Sequence, residues 1–446
     1  MEKEKTFDYV NDDIGKLYKS LLPSAIGSLL TATVASLIDV VILTYYLGHD
    51  MLAVVGLCMP VYMLVNTLGM LIASGASTLY AQYLGEGDVT EANKFFSVSV
   101  IHLFICGAVL MLGGLTFTDP IVKLLGANEA VMAPTAEYAH VLFFFMIPLM
   151  FYVQQLFFVR IDNDPVRSLS ATICCAVTNL VLDVLFVGPL HLGVKGAAMA
   201  TCLAYTVGLI VNLTHFLSKK NSLKFIPDCL KGRGFRVWRA GMPLAASQLG
   251  MTVSTNIFNN LLIRVGNEDY VSVYTVITQL SMTSMAVYEG VGQASQPIIA
   301  AAYGANNSDR IDKVFKYGVM LELIGTILLA VLYITCAGPV AGLFSITEGE
   351  LLALTKSAIR IYALSIPFMG MNSIIMYYFQ AQEKTGRGLL ISLLSGSVLL
   401  VVSLFILVRI AGAGGIWYSW VMAQITALIV SVILYVLDQR KLKSAT

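Results

Sequence analysis

Long apolar runs recur along the whole chain, separated by short polar stretches. None alternates polar with apolar residues as a membrane β-strand would. A helix that crosses a bilayer needs about 20 apolar residues. Twelve runs meet that need. The first six are 21–47, 52–79, 95–117, 138–158, 168–187 and 196–217. The second six are 240–265, 271–291, 317–336, 358–379, 389–408 and 416–437.

The two sets repeat each other. Ile147-Pro148-Leu149-Met150 recurs 219 residues later as Ile366-Pro367-Phe368-Met369, and Gly193 and Gly196 recur as Gly412 and Gly415. Leu84-Gly85 recurs as Tyr303-Gly304, and Leu47-Gly48 as Val265-Gly266, one residue out of step. Each copy holds an even number of spans, so both have the same orientation: a parallel repeat, a known transporter plan. The pattern predicts an all-α integral membrane protein of twelve transmembrane helices in two six-helix lobes. The expected divisions are an N-lobe at 1–217, a basic cytoplasmic linker at 218–239 and a C-lobe at 240–446.

Composition agrees with a membrane protein. Hydrophobic residues make up 57% of the chain and charged ones 12%, against about 25% charged in soluble domains. That excludes a water-soluble enzyme, a disordered chain and a disulfide scaffold. A net charge of +1 gives no electrostatic footprint for nucleic acid. The seven cysteines show no C-x-x-C spacing and read as small apolar packers. Residues 1–20 are polar and acidic, unlike a cleavable signal or a transit peptide, so the first apolar run is expected to target the chain to the membrane. Of the 28 Lys and Arg, 22 fall on the side of the termini and the central loop and five on the other, with Arg360 just inside a span. The positive-inside rule then places both termini in the cytoplasm, at the cytoplasmic (inner) membrane of a multi-pass protein.

Carboxylates inside spans cost about 2.5–3.5 kcal/mol each. Asp39, Asp183 and Glu289 stand out. The repeat is an internal control: Asp39 maps to Ile257, Asn179 to Val398, Asp183 to Val402 and Thr201 to Trp420. The second copy does without these polar groups, which favours function over simple interhelical hydrogen bonding. Depth points the same way. At about 1.5 Å per residue, Asp39 lies about 13 Å and Asp183 and Thr201 about 9 Å below the outer surface. Asn179 sits one turn from Asp183 on the same face, and Tyr138 begins the fourth span from the same side. These five groups are expected to meet. Neighbouring carboxylates resist joint ionisation, so one is expected to hold a proton near neutral pH. Na⁺ could take its place at Asp39, Asn179, Asp183 and Thr201. No His/Cys cluster offers a transition-metal site.

Glu289 and Glu322 fall in the inner half and read as candidate gate or interface groups. Pro23, Pro148 and Pro367 lie within spans and read as helix-kink positions. Tyr138, Tyr152, Tyr288, Tyr362, Tyr377 and Tyr378, with Met282 and Met285, either line a pocket for apolar cations or pack the interior. G-x-x-x-x-G-K-[ST] is absent, so an ion gradient (H⁺ or Na⁺) is the expected energy source and no cofactor is expected.

Four stretches in order resemble the multidrug and toxic compound extrusion (MATE) family: LIDVVILTYYLGHDMLAVVGL (37–57), GASTLYAQYLGEGDVTEANKFF (75–96), VTNLVLDVLFVGPLHLGVKGAAMAT (177–201) and GQASQPIIAAAYGANNSDR (292–310). The pattern is similar to its DinF-type branch. The resemblance implies a two-lobe exporter working by alternating access, exchanging organic cations, drugs or related toxic compounds for H⁺ or Na⁺. It implies a cation site at Asp39, Asn179, Asp183 and Thr201, with Tyr138. Other branches carry an acid in the seventh span. Here that span has Asn256, Asn259 and Asn260 instead, which puts a C-lobe cation site in doubt. The alternatives are a lipid or lipid-linked oligosaccharide flippase of the same superfamily and a membrane-embedded enzyme. The flippases often have fourteen spans and a basic cavity. An enzyme would need a catalytic set, and His49, His102, His140, His191 and His215 show no ligand spacing. The expected partners are a small organic substrate and the bilayer, with a monomer as the default.

Overall fold

The computed structural model describes residues 7–227, 232–265 and 268–445. Lys3, Lys5, Cys229, Lys231 and Gly266 lie outside them. Seventeen α-helices and no strand occur among the described residues. The chain forms two compact units, Met1–Gly241 and Met242–Thr446.

Unit 1 holds α1 (Ile14–Leu47), α2 (His49–Glu86), α3 (Val89–Thr116), the short α4 (Thr118–Leu124), α5 (Met132–Phe144), α6 (Met146–Ile161), α7 (Pro165–Val187) and α8 (Gly193–Leu213). Helix α7 packs along α1 and α8, while α2 packs on α3 and α6. Next come α9 (Arg233–Val265), whose first turns belong to unit 1, α10 (Glu268–Gly304), α11 (Ser308–Thr335) and the short α12 (Ala337–Gly342). Unit 2 continues with α13 (Gly349–Ala363), α14 (Ile366–Ala381), α15 (Thr385–Leu393), α16 (Leu399–Ala411) and α17 (Tyr418–Ala445). Helix α10 packs on α11 and α14, and α16 on α17.

Among the described residues, eight helical stretches are long and apolar enough to cross a bilayer, and the bent pair α5–α6 makes a ninth. The stretch Thr385–Lys441 folds back and holds two crossings. Its limbs run antiparallel: Lys384 pairs with Asp438 at 2.6 Å, and the Ser395 carbonyl accepts from Gln424 Nε2 at 2.9 Å. Helices α9 and α10, 33 and 37 residues long, complete twelve; polar residues such as Gln248, Asn256 and Gln293 dilute their apolar character.

The repeat is written into the backbone. Left-handed residues recur in pairs 219 or 220 apart: Gly87 and Asn306, Gly126 and Ser345, Asn163 and Glu383, Gly193 and Gly412. Helices α3 and α11 are both 28 residues long, and their caps correspond. Asp88 accepts from the Glu91 N–H at 2.8 Å and Asn307 from the Arg310 N–H at 3.0 Å, each satisfying a free amide of the first turn.

The structure corrects several expected boundaries. The fourth span is two helices meeting at Phe145 with a 53° bend. Pro148 is the third residue of α6, just past that bend, and Pro367 the second of α14, just past the break after Ala363, so each stands where its span is interrupted, in the first turn of the helix that follows. A proline there loses no helical hydrogen bond. Pro23 lies inside an unbroken α1, as Pro60, Pro243 and Pro297 lie inside α2, α9 and α10. Helices α2 and α10 outrun their apolar windows because the added turns are buried in protein: Tyr80, Ala81 and Gln82 in one, Gln293, Ser295 and Gln296 in the other. The central segment is not a free linker throughout. The Lys224 N–H donates to Asn93 Oδ1 at 2.6 Å and the Ile226 N–H to Ser97 Oγ at 2.7 Å. Residues 233–239 are helical, and Arg233 pairs with Glu91 at 2.6 Å.

Candidate functional site: a carboxyl pair in unit 1 and an acidic cavity in unit 2

Helix α7 carries Asn179 and Asp183 one turn apart, so both face the same neighbours. Asn179 Nδ2 donates to Asp183 Oδ2 at 2.7 Å and approaches Thr201 Oγ1 of α8 at 3.5 Å. Asp39, on α1, meets the Asp183 carboxyl. Asp183 is fully buried. One oxygen of each carboxylate, Asp39 Oδ1 and Asp183 Oδ1, is buried without a hydrogen-bond donor. Tyr138 of α5 is buried within electrostatic reach of both. The five residues singled out from the sequence therefore gather in one cluster.

Two carboxylates in contact within an apolar surround repel strongly if both are ionised. The unpartnered oxygens call for something positive between them. A single proton satisfies that, and so does a small hard cation held by the two carboxylates with the Thr201 hydroxyl and Asn179 carbonyl, all oxygen ligands.

The corresponding positions of unit 2 are apolar. Trp420, the counterpart of Thr201, packs at 4.2 Å on Phe258, near Tyr274 and Tyr362. Val398 ends a π-helical turn, Leu394–Val398, between α15 and α16. Such turns interrupt the hydrogen-bond ladder, often at functional sites. Here the freed carbonyls are used: Gly396 accepts from Ser254 Oγ at 3.0 Å and Ser395 from Gln424 Nε2. Gln424 also accepts from Asn372 Nδ2 at 3.0 Å, and Ser431 Oγ donates to Asn372 Oδ1 at 2.8 Å.

Ser254, Asn372, Ser395, Gly396 and Gln424 wall a cavity of about 90 Å³ inside unit 2, with Met285, Tyr288, Ser373 and Trp420 on other sides. Its one acid is Glu289. Tyr377 donates to Glu289 Oε2 at 2.5 Å. Gly292, one turn on from Glu289, permits this: a Cβ there would sit 2.1 Å from the Tyr377 ring. Glu322 of α11 is fully buried against Gly370 of α14. Ser254, Asn372, Ser395 and Gln424 belong to no motif in the sequence. The available signal was an amide or hydroxyl inside an apolar run.

The other aromatic candidates divide. Tyr288 and Met285 line the cavity, whereas Met282 is not among its lining residues. Tyr362 packs on Trp420, Tyr152 packs edge-on to Tyr205, and Tyr205 shares a hydroxyl hydrogen bond with Tyr62. Tyr378 joins Asp438 at the end of α17. At the matching end of unit 1, His215 lies buried between Asp162 at 2.8 Å and Asp164 at 3.3 Å. Burial would push the Asp164 carboxyl up. The ion pair with Arg167 at 2.7 Å, helped by His215, outweighs it and holds Asp164 below the usual carboxylate range.

Twelve apolar helices in two repeated units, with polar clusters that the lipid-facing fold does not require, define a multi-pass membrane transporter. The chain belongs to the MatE family, whose model matches it twice, over residues 23–185 and 243–406. It is similar to the multidrug export protein MepA of Staphylococcus haemolyticus (strain JCSC1435), 23% identical over 99% of this chain and 97% of that one. MepA of Staphylococcus aureus (strain MSSA476) is 24% identical over 94% and 93%. Among solved structures, an outward-facing multidrug resistance MATE family transporter of the MOP superfamily superposes with a TM-score of 0.92 at 24% identity, over 99% of this chain and 100% of that one. MATE in complex with MaD3S gives 0.93 at 24% identity and the same coverage.

Proposed function

We propose that this protein is an efflux antiporter that exports organic cations, drugs or related toxic compounds in exchange for H⁺ or Na⁺. The observation that carries the reading is the contact between Asp39 and Asp183, each with a buried oxygen lacking a donor. A coupling ion neutralises the pair, and its departure leaves a charge that the protein must accommodate differently. Asn179, Thr201 and Tyr138 fix the pair's geometry, and Pro23 on the Asp39 helix supplies a point where α1 can bend. The names of the MepA relatives support an exported drug-like substrate. The charge asymmetry supports both termini in the cytoplasm, at the cytoplasmic membrane. Since each unit contains its own polar site, a monomer suffices, and no chemical turnover of the substrate is needed.

Expression in a drug-sensitive host tests the reading. The expected result is lower ethidium accumulation with unchanged lipid composition. Unchanged ethidium with altered lipid distribution between leaflets would favour a flippase instead.

A further inference from the structure

The seventh apolar run starts at 240, yet α9 already lies along unit 1 from Arg233. Its packed face is Gly234, Val237 and Gly241, all buried. A Cβ on Gly241 would run into the Leu71 carbonyl of α2, one on Gly75 into the Val237 carbonyl, and one on Gly234 into the His102 ring of α3. These first turns are therefore seated tightly on two spans. Their opposite face carries Phe235, Trp238 and Arg239, spaced i, i+3 and i+4. Phe235 is 73% exposed, Arg239 is exposed and Trp238 is half-buried.

The depth of this face follows from its packing. Arg233 pairs with Glu91, just ahead of the apolar run that opens at Phe95, so α9 starts near the membrane surface. Gly241 meets Leu71, which lies inside the run that ends at Leu79, about 12 Å deep at 1.5 Å per residue. Phe235 and Trp238 then fall in the interfacial belt that aromatic rings favour. The Arg239 backbone lies about 9 Å deep by the same rise, and its guanidinium reaches the headgroups only by laying its stem back along the two rings. Arg239 makes no ion pair or hydrogen bond among the described residues. It adds to a row of cations: Lys94 at 3.1 Å and Arg233 at 2.6 Å share Glu91, and Arg236 lies over the Tyr83 and Phe95 rings. Glu86 and Asp88 sit on the turn beyond these runs, and Asp88 is engaged with the Glu91 amide. A zwitterionic headgroup would bring a further cation to this row, whereas an anionic one brings only the charge it lacks.

We propose that the first turns of α9 are an interfacial anchor that binds an anionic phospholipid of the leaflet on the side of the chain termini, its phosphate on Arg239 and its chains against Phe235 and Trp238. The bound lipid supplies the counter-charge that the protein does not. It covers the apolar face of a segment whose other face is fixed to α2 and α3. The anchor does not depend on which compound the protein exports.

Tryptophan fluorescence of the purified full-length protein in phosphatidylcholine nanodiscs tests this. The other two tryptophans, Trp417 and Trp420, are 3% and 7% exposed, inside unit 2. Lipids with brominated chains quench an indole that they touch. Brominated phosphatidylglycerol is expected to half-quench Trp238 at a mole fraction about fivefold below that needed for brominated phosphatidylcholine, the gain of one basic residue at an anionic surface. Trp238→Phe should lose this quenching, which assigns it. Arg239→Gln should bring the two curves together, and Arg239→Lys, which keeps the charge, should hold them apart. Coincident curves in the wild type would overturn the proposal and leave ordinary boundary lipid. Quenching of Trp238 by acrylamide but by neither lipid would overturn it by placing the face in water. A separation that survives in Arg239→Gln would overturn the assignment of the phosphate to Arg239.

Discussion

The Glu322 carboxyl rests against the bare Cα of Gly370: a Cβ at Gly370 would sit 2.4 Å from Oε1 and 2.8 Å from Thr326 Cγ2. Gly370→Ala must displace the acid. Overpacking of this kind costs about 1–3 kcal/mol. Truncating the acid in Glu322→Ala makes room, so the two changes should be strongly non-additive. Thermal melting in detergent of both single variants and the double variant checks this. Additive losses would mean that the glycine serves some other contact.

Asn179 Nδ2 donates to Asp183 Oδ2 at 2.7 Å. A hydrogen bond to a charged group contributes about 1.5–3 kcal/mol. Asn179→Ala is therefore expected to shift apparent affinity for the coupling ion by about 10- to 100-fold: a proton is held more tightly, because the ionised carboxylate loses its donor, whereas Na⁺ is held more weakly, because it loses the Asn179 carbonyl. Thr201→Val removes a contact that is already long at 3.5 Å, so its effect through that hydrogen bond should be smaller. Efflux measured against the concentration of the coupling ion gives both numbers. Equal shifts would assign Thr201 a direct ligand role.

Trp420 fills the place that Thr201 holds in unit 1. Its removal in Trp420→Ala should cost about 3–5 kcal/mol, as for other large aromatic truncations. The cavity should enlarge as well, so the range of exported cations should widen toward bulkier ones. A panel of dyes of increasing size, measured in vesicles with matched protein amounts, reads this separately from stability.

Asp164 predicts a pH dependence of stability. Its folded carboxyl is held below the usual range. A depressed acid stabilises the fold at pH values above its unfolded pKa. That contribution disappears as pH falls through the folded value, so the loss lies below about pH 4. Melting temperatures should drop across that window in the wild type and less steeply in Asp164→Asn, which lacks the contribution at neutral pH.

Much of this molecule could be read from its sequence, for a physical reason. Lipid demands long apolar helices, so the runs and their 219-residue repeat announce the spans directly. A buried acid is costly enough to stand out in an apolar run, as Asp39 and Asp183 do. The break at Phe145 was hidden because the apolar run continues through it. The far turns of α2 and α10 were missed because protein, not lipid, surrounds them. The π-helical turn at Leu394–Val398 leaves no hydropathy signature, and the cavity draws single polar residues from several helices. His215 shows no metal-ligand spacing because its partners, Asp162 and Asp164, are acids more than fifty residues away in sequence.

The central claim is that the Asp39–Asp183 pair couples export to an ion. Ethidium transport in everted vesicles tests it, with a pH gradient and a Na⁺ gradient imposed separately on the wild type and Asp39→Asn. The account predicts that one gradient drives transport in the wild type and that the variant loses this response while remaining folded and in the membrane. Gradient-driven transport of wild-type rate in Asp39→Asn would contradict it.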